Sequence, residues 1–256
     1  MSEFKHLQVH REKAVEHLVL NRPDVRNAFN EDLIAELAAW AAEACKDPQL
    51  RAVVISGAGP VFCAGGDLTW MSKMATYSHD ENLRDAADAA RMFEAIDTLP
   101  VPVIARVHGA AMGGGAGLAA VADIAVTEAG AIFAFTEVKL GLLPALIAPY
   151  VLAKIGQSAA RELFLTGRRF TAERALQIGL VHAVVASAGE IDGTIQQYLD
   201  DVLGSGREAI AAAKNLIRQI ANRPPSEMAP LTVEAIAKQR ASAEAQARMK
   251  AFLSKK

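Results

Sequence analysis

A chain of 256 residues, 52% apolar and 22% charged, has material for one sizeable α/β core with a small appendage, and argues against a disordered polymer or two independent domains. Its 27 basic side chains nearly cancel 29 acidic ones, leaving a formal charge of −2, and with 5% aromatics this leaves little of the basic, stacking surface of a nucleic-acid binder. Cys45 and Cys63 are too few for a disulfide framework or a zinc signature, no apolar run approaches the ~18 residues of a membrane span, and the N-terminus lacks a signal or transit pattern; a cytoplasmic location without metal is expected.

In chain order, residues 7–9 and 15–20 read as short strands around a polar turn, an opening hairpin ended by Arg22-Pro23-Asp24. Asn30 caps an amphipathic helix over 31–46, with Leu33, Leu37, Trp40 and Ala44 at helical spacing. A strand at 52–56 leads through Gly65-Gly66 into a short helix over 68–74, then a mobile surface segment at 75–80 and a longer helix over 81–99. Residues 101–107, 122–126 and 132–135 are further strands. Helices are expected over 146–155, 158–166 and 171–178, with a last strand candidate at 180–185. Helices over 190–203, 206–221 and 227–253 form a tail too thin to bury its own apolar faces, which divides the chain into a core at 1–189 and a helical region at 190–256.

Two glycine-rich turns about fifty residues apart, 62–68 and 108–117, each follow a strand-like run. Glycine permits positive φ and close approach, so such turns can present backbone N–H groups inward, and two convergent N–H groups can hold an oxyanion. Neither turn matches a phosphate-binding signature: there is no G-x-G-x-x-G in 113–117 and no P-loop. Glu137 follows the apolar strand at 132–135, where strands end at ligand crevices, and a buried carboxylate there can transfer protons. Asp67 reads as a helix cap, Cys63 as a small buried residue without a histidine partner, and His108 as structural.

The ordered set Leu20-Asn21-Arg22-Pro23-Asp24-Val25-Arg26-Asn27-Ala28-Phe29-Asn30, Cys63-Ala64-Gly65-Gly66-Asp67-Leu68, the turn from His108 to Gly117, and Thr136-Glu137-Val138 with Leu140-Gly141-Leu142-Leu143-Pro144 resembles the crotonase superfamily of enoyl-CoA hydratases and isomerases. The resemblance continues through Leu165-Thr166-Gly167 and Ala175 to Val181, over nearly the whole chain. It implies an α/β fold with a crotonase-type ββα spiral core and a C-terminal helical trimerisation region, assembled as a homotrimer or a dimer of trimers. The implied ligand is an acyl-CoA thioester, with coenzyme A part of the substrate and no other cofactor.

By motif match the resemblance assigns the oxyanion hole to the N–H groups of Ala64 and Gly114 and the proton transfer to Glu137. Arg26, Ala28, Gly66, Asp67, Leu68 and Gly113 match positions that line the CoA groove, and Phe252 and Lys255 resemble a tail segment that covers a neighbouring subunit's nucleotide. One departure stands out: two-glutamate hydratases carry a glutamate where this chain has Gly117, so only Glu137 of the pair remains. Three readings stay open. Gly117 with Leu140-Gly141-Leu142-Leu143-Pro144-Ala145-Leu146-Ile147-Ala148-Pro149-Tyr150 resembles the methylglutaconyl-CoA hydratases of bacterial leucine and terpenoid breakdown, the favoured branch, with the space at Gly117 admitting a branched or carboxylated acyl group. A Δ3,Δ2-enoyl-CoA isomerase needs only one glutamate. A catalytically silent protein binding acyl-CoA or RNA is the alternative of another class.

Overall fold

A computed structural model describes residues 4–221 and 223–254. Strands β1 (Leu7–Glu12) and β2 (Val15–Leu20) form an antiparallel hairpin, and β2 then pairs in parallel with β3 (Ala52–Gly57) from Val15↔Ala52 to Leu20↔Gly57. Parallel pairing continues through β4 (Val103–Val107), β6 (Ile124–Glu128) and β9 (Ala183–Val185), giving a six-stranded sheet in the order β1-β2-β3-β4-β6-β9. A second sheet, β5-β7-β8, is built from β5 (Ala110–Met112), β7 (Ile132–Ala134) and β8 (Phe170–Thr171). Mixed strands and helices in this arrangement fit the expected α/β class.

Both faces of the large sheet are covered, which is why β3 reads as an unbroken apolar run. Alternation sends Val53 and Ile55 into the main core with Leu33, Leu37 and Trp40 of α1 (Glu31–Ala44), while Ala52 and Val54 meet Ile191, Ile195 and Leu199 of α7 (Ile191–Gly204). The helix expected at the start of the 190–256 region therefore packs on the core. Helices α8 (Arg207–Ile220), α9 (Pro225–Ala241) and α10 (Ala243–Leu253) bury none of their residues and expose Ile217, Val233, Ile236, Phe252 and Leu253. Lys214 ties α8 to the core through Asp123 at 2.7 Å.

Several local expectations are corrected. Residues 78–80 are not a loose segment: the Ser78 hydroxyl accepts from the Glu81 N–H and the Glu81 carboxylate accepts from the Ser78 N–H, a capping box that starts α3 (His79–Asp97). The last helix is broken at Ser242, whose side chain caps α10. By contrast, the break expected between the helices over 146–155 and 158–166 is present, α5 (Ala148–Thr166) being interrupted at Gly156 with φ +68°. The chain also forms α2 (Leu68–Met74), α4 (Gly114–Val121) and α6 (Ala172–Gln177), of which α4 and α6 contribute to the main core. Among the described residues no helix is long and apolar enough to cross a membrane.

Candidate active site

The two glycine turns meet because backbone pairing stitches them. Cys63 N–H donates to Ala110 O and Met112 N–H to Cys63 O, at 3.1 and 3.0 Å, so the first turn runs beside β5 and arrives at the second. On its other side, Phe29 N–H donates to Gly65 O and Asp67 N–H to Phe29 O. In such a bridge the middle residue's own N–H faces away from its partner, which leaves Gly66 N–H turned to the opposite side.

Arg22 and Asn27 hold this arrangement from below. Arg22 pairs with Asp67 at 2.9 Å and also donates to Ala28 O. Asn27, fully buried and left-handed at φ +56°, donates to Ala58, Val61 and Phe62 carbonyls and accepts from Arg22 N–H. Burial pushes the Asp67 carboxyl up, but Arg22 and the N–H groups of Thr69 and Trp70 outweigh it and hold it below the usual range. Asp67 is thus the N-cap of α2 and an ion-pair partner, saturated by the protein itself.

Gly113 adopts φ +48° and ψ −120°, open only to glycine, and its turn delivers Gly114 as the first residue of α4. The first N–H groups of a helix have no intrahelical acceptor and carry the positive end of its dipole. Among the described residues neither Gly66 N–H nor Gly114 N–H finds an acceptor. Both residues line one cavity of about 380 Å³, otherwise walled by apolar groups including Phe29, Trp70, Met71, Met92, Leu146 and Ile147.

Among the described residues, Glu137 is the only ionisable side chain lining that cavity. It opens a single 3-10 turn after β7, half-buried, with its Oε2 buried and without a hydrogen-bond partner. Burial raises its carboxyl above the ordinary carboxylate range, opposed only by its own backbone N–H. A carboxylate poised in this way is suited to taking and returning protons near neutral pH. Cys63, by contrast, is pushed up to about 12 by burial and supplies no thiolate.

The remaining expected site residues divide. Gly66, Leu68, Gly113 and Gly114 line the cavity with Glu137, whereas Arg26 and Ala28 do not. Ala64 lines it too, yet its N–H donates to Arg26 O at 3.0 Å and is not a free donor; this corrects the pairing of Ala64 with Gly114, because Gly66, two residues on, also lines the cavity and its N–H has no acceptor among the described residues. Phe252 lies on α10 away from the cavity lining, and Lys255 falls outside the described residues.

The space expected at Gly117 is also corrected. A β-carbon there would overlap Cγ2 of Ile147 and lie 2.8 Å from its Cβ, so Ile147, which lines the cavity, already fills the place of a second carboxylate. Sequence reasoning missed Ile147 because a departure from pattern at one position does not tell which distant side chain occupies the gap. It also missed Arg22 and Asn27 as organisers of the first turn, although both stood in the quoted motif.

A family model described as enoyl-CoA hydratase/isomerase matches residues 10–256. The crystal structure of an enoyl-CoA hydratase from Shewanella pealeana superposes with a TM-score of 0.95 at 35% identity, covering 99% of this chain and 95% of that one. Among sequences, a short-chain-enoyl-CoA hydratase of Clostridium acetobutylicum is 31% identical over 219 residues, 85% of this chain and 82% of the relative. A peroxisomal Δ(3,5)-Δ(2,4)-dienoyl-CoA isomerase of Arabidopsis thaliana is 31% identical over 230 residues, 85% and 83% of the two chains.

Proposed function

The chain belongs to the enoyl-CoA hydratase/isomerase family, and from that premise we propose that it hydrates a 2-enoyl-CoA thioester through an enolate. The observation that carries this reading is the pairing of two N–H groups without acceptors, Gly66 and Gly114, with one desolvated carboxylate, Glu137, in a mostly apolar cavity. The N–H pair receives the thioester oxygen as negative charge develops on it, aided by the N-terminal end of α4. Glu137 takes a proton from water as the hydroxyl adds to the β-carbon, then returns that proton to the α-carbon. Water's two fragments both end on the substrate and the carboxylate is restored.

Branched substrates such as 3-methylglutaconyl-CoA are part of this proposal. Among the described residues no basic side chain lines the main cavity, so a distal carboxylate would have to extend past Ala145 and Leu146 toward Arg218, which lines an adjoining cavity of about 410 Å³ together with Glu94 and Asp97 and pairs with Asp97 at 3.7 Å. The exposed apolar side chains of α8–α10 support assembly as a homotrimer or a dimer of trimers, and we extend the proposal to a cytoplasmic enzyme of that form.

A second reading, Δ3,Δ2-enoyl-CoA isomerisation, is favoured by one observation: Ile147 stands where a second acid would seat water. A single carboxylate suffices to move a proton between two carbons. Purified protein assayed on crotonyl-, 3-methylglutaconyl- and 3-hexenoyl-CoA separates the two. Loss of 2-enoyl absorbance with formation of the 3-hydroxy product is expected; turnover of 3-hexenoyl-CoA alone overturns hydration in favour of isomerisation.

A further inference from the structure

A hydratase with one carboxylate needs another group to hold its water, because an ordered water takes ~2–4 polar partners. The wall beside Glu137 supplies one. A β-carbon built on Gly113 would lie 3.3 Å from Glu137 Oε1 and 3.8 Å from Thr136 Oγ1. The missing side chain of Gly113 thus leaves a niche with a carboxylate oxygen on one side and a hydroxyl on the other. Gly113 cannot be replaced without strain at φ +48°, so the niche is held open by the backbone itself.

Thr136 and Glu137 are adjacent in sequence, and both line the cavity together with Gly113. Among the described residues they are the only side chains there that end in oxygen; Trp70, the other polar one, gives its indole N–H to Asp85 at 3.0 Å. No hydrogen bond from the Thr136 hydroxyl is formed among the described residues, which leaves it available to a ligand.

We propose that the Thr136 hydroxyl and the Glu137 carboxylate together seat the attacking water over Gly113, Thr136 taking the place of the second glutamate. This rests on the hydratase reading. Water gives one hydrogen to Glu137 Oε1 and the other to Thr136 Oγ1, which turns an oxygen lone pair toward the substrate's β-carbon. As the C–O bond forms, the first hydrogen passes to Glu137 and from there to the α-carbon; the second stays on the product hydroxyl. Thr136 exchanges no proton, so it orients the nucleophile without serving as acid or base.

The test uses whichever 2-enoyl-CoA the wild type hydrates fastest, with Thr136→Val and Thr136→Ser. Removing one hydrogen bond to water corresponds to ~10-fold in rate. We expect kcat for hydration to fall ~10-fold in T136V with KM held, and to return to within about threefold in T136S. Exchange of the α-hydrogens of butyryl-CoA in deuterated water uses only Glu137 and the two N–H groups, so it should stay at the wild-type rate in T136V and report an intact site. Hydration in T136V equal to wild type, or equal loss of hydration and exchange, overturns the role of Thr136 while leaving the hydratase reading in place. A wild type that hydrates no 2-enoyl-CoA but isomerises 3-hexenoyl-CoA overturns both.

Discussion

Replacing Gly117 by alanine inserts one methyl group into a position that Ile147 already occupies. The new β-carbon would overlap Ile147 Cγ2 and approach its Cβ to 2.8 Å, and Ile147 is itself almost wholly buried at 3% exposure, so it has little room to yield. Overpacking of a filled core costs about 1–3 kcal/mol, which for a chain of this size lowers Tm by about 2–4 °C per kcal/mol. Thermal unfolding of G117A should therefore fall by about 2–12 °C. The same substitution in an Ile147→Ala background meets a side chain that has lost Cγ2, Cγ1 and Cδ1. There the added methyl should cost less than half as much, a coupling on the order of 1 kcal/mol in a double-mutant cycle. Equal costs in both backgrounds, or no cost in the wild type, would refute the reasoning that Ile147 fills the place of a second carboxylate.

Two further outcomes follow from the geometry of the site. Gly66→Ala should retain activity, since its β-carbon would make ordinary contacts with Met71 Sδ at 3.5 Å and Trp70 Cζ3 at 4.0 Å, whereas Gly66→Pro removes the N–H and should cost ~10²–10³ in kcat; comparable kcat for the two variants in steady-state assays would remove Gly66 N–H from the oxyanion hole. Because burial raises the Glu137 carboxyl, folding disfavours its ionised form: the stability associated with the protonated carboxyl is present below the ordinary glutamate pKa and is lost as pH rises through the raised one. Glu137→Gln should thus raise Tm near pH 8, with the difference vanishing in acid. A Tm difference that does not change with pH contradicts the shift.

Much of this architecture could be read from sequence, for identifiable reasons. Strand–turn–helix order around the two glycine runs fixed where backbone N–H groups would be presented, and the apolar strand before Glu137 fixed its depth. Less could be read wherever the outcome depended on a distant partner. Ala64 and Gly66 look equally able to donate until Arg26 O claims the former. Gly117 looks like empty space until Ile147, thirty residues on, is found against it. Short pairings such as β5 and β8 carry too few residues to show a strand period, and Ser78 reads as loop because its cap depends on the reciprocal bond from Glu81. Helix α8 shows its amphipathic pattern plainly, but among the described residues none of its side chains is buried.

The central claim is that Glu137 alone handles the proton while backbone N–H groups hold the thioester oxygen. Its most direct test measures kcat and acyl-CoA affinity together for Glu137→Gln, with the 2-enoyl-CoA that the wild type turns over best. The account predicts a fall in kcat of ~10²–10⁴ with Kd for a saturated acyl-CoA changed less than about threefold. A variant that keeps most of its kcat contradicts it.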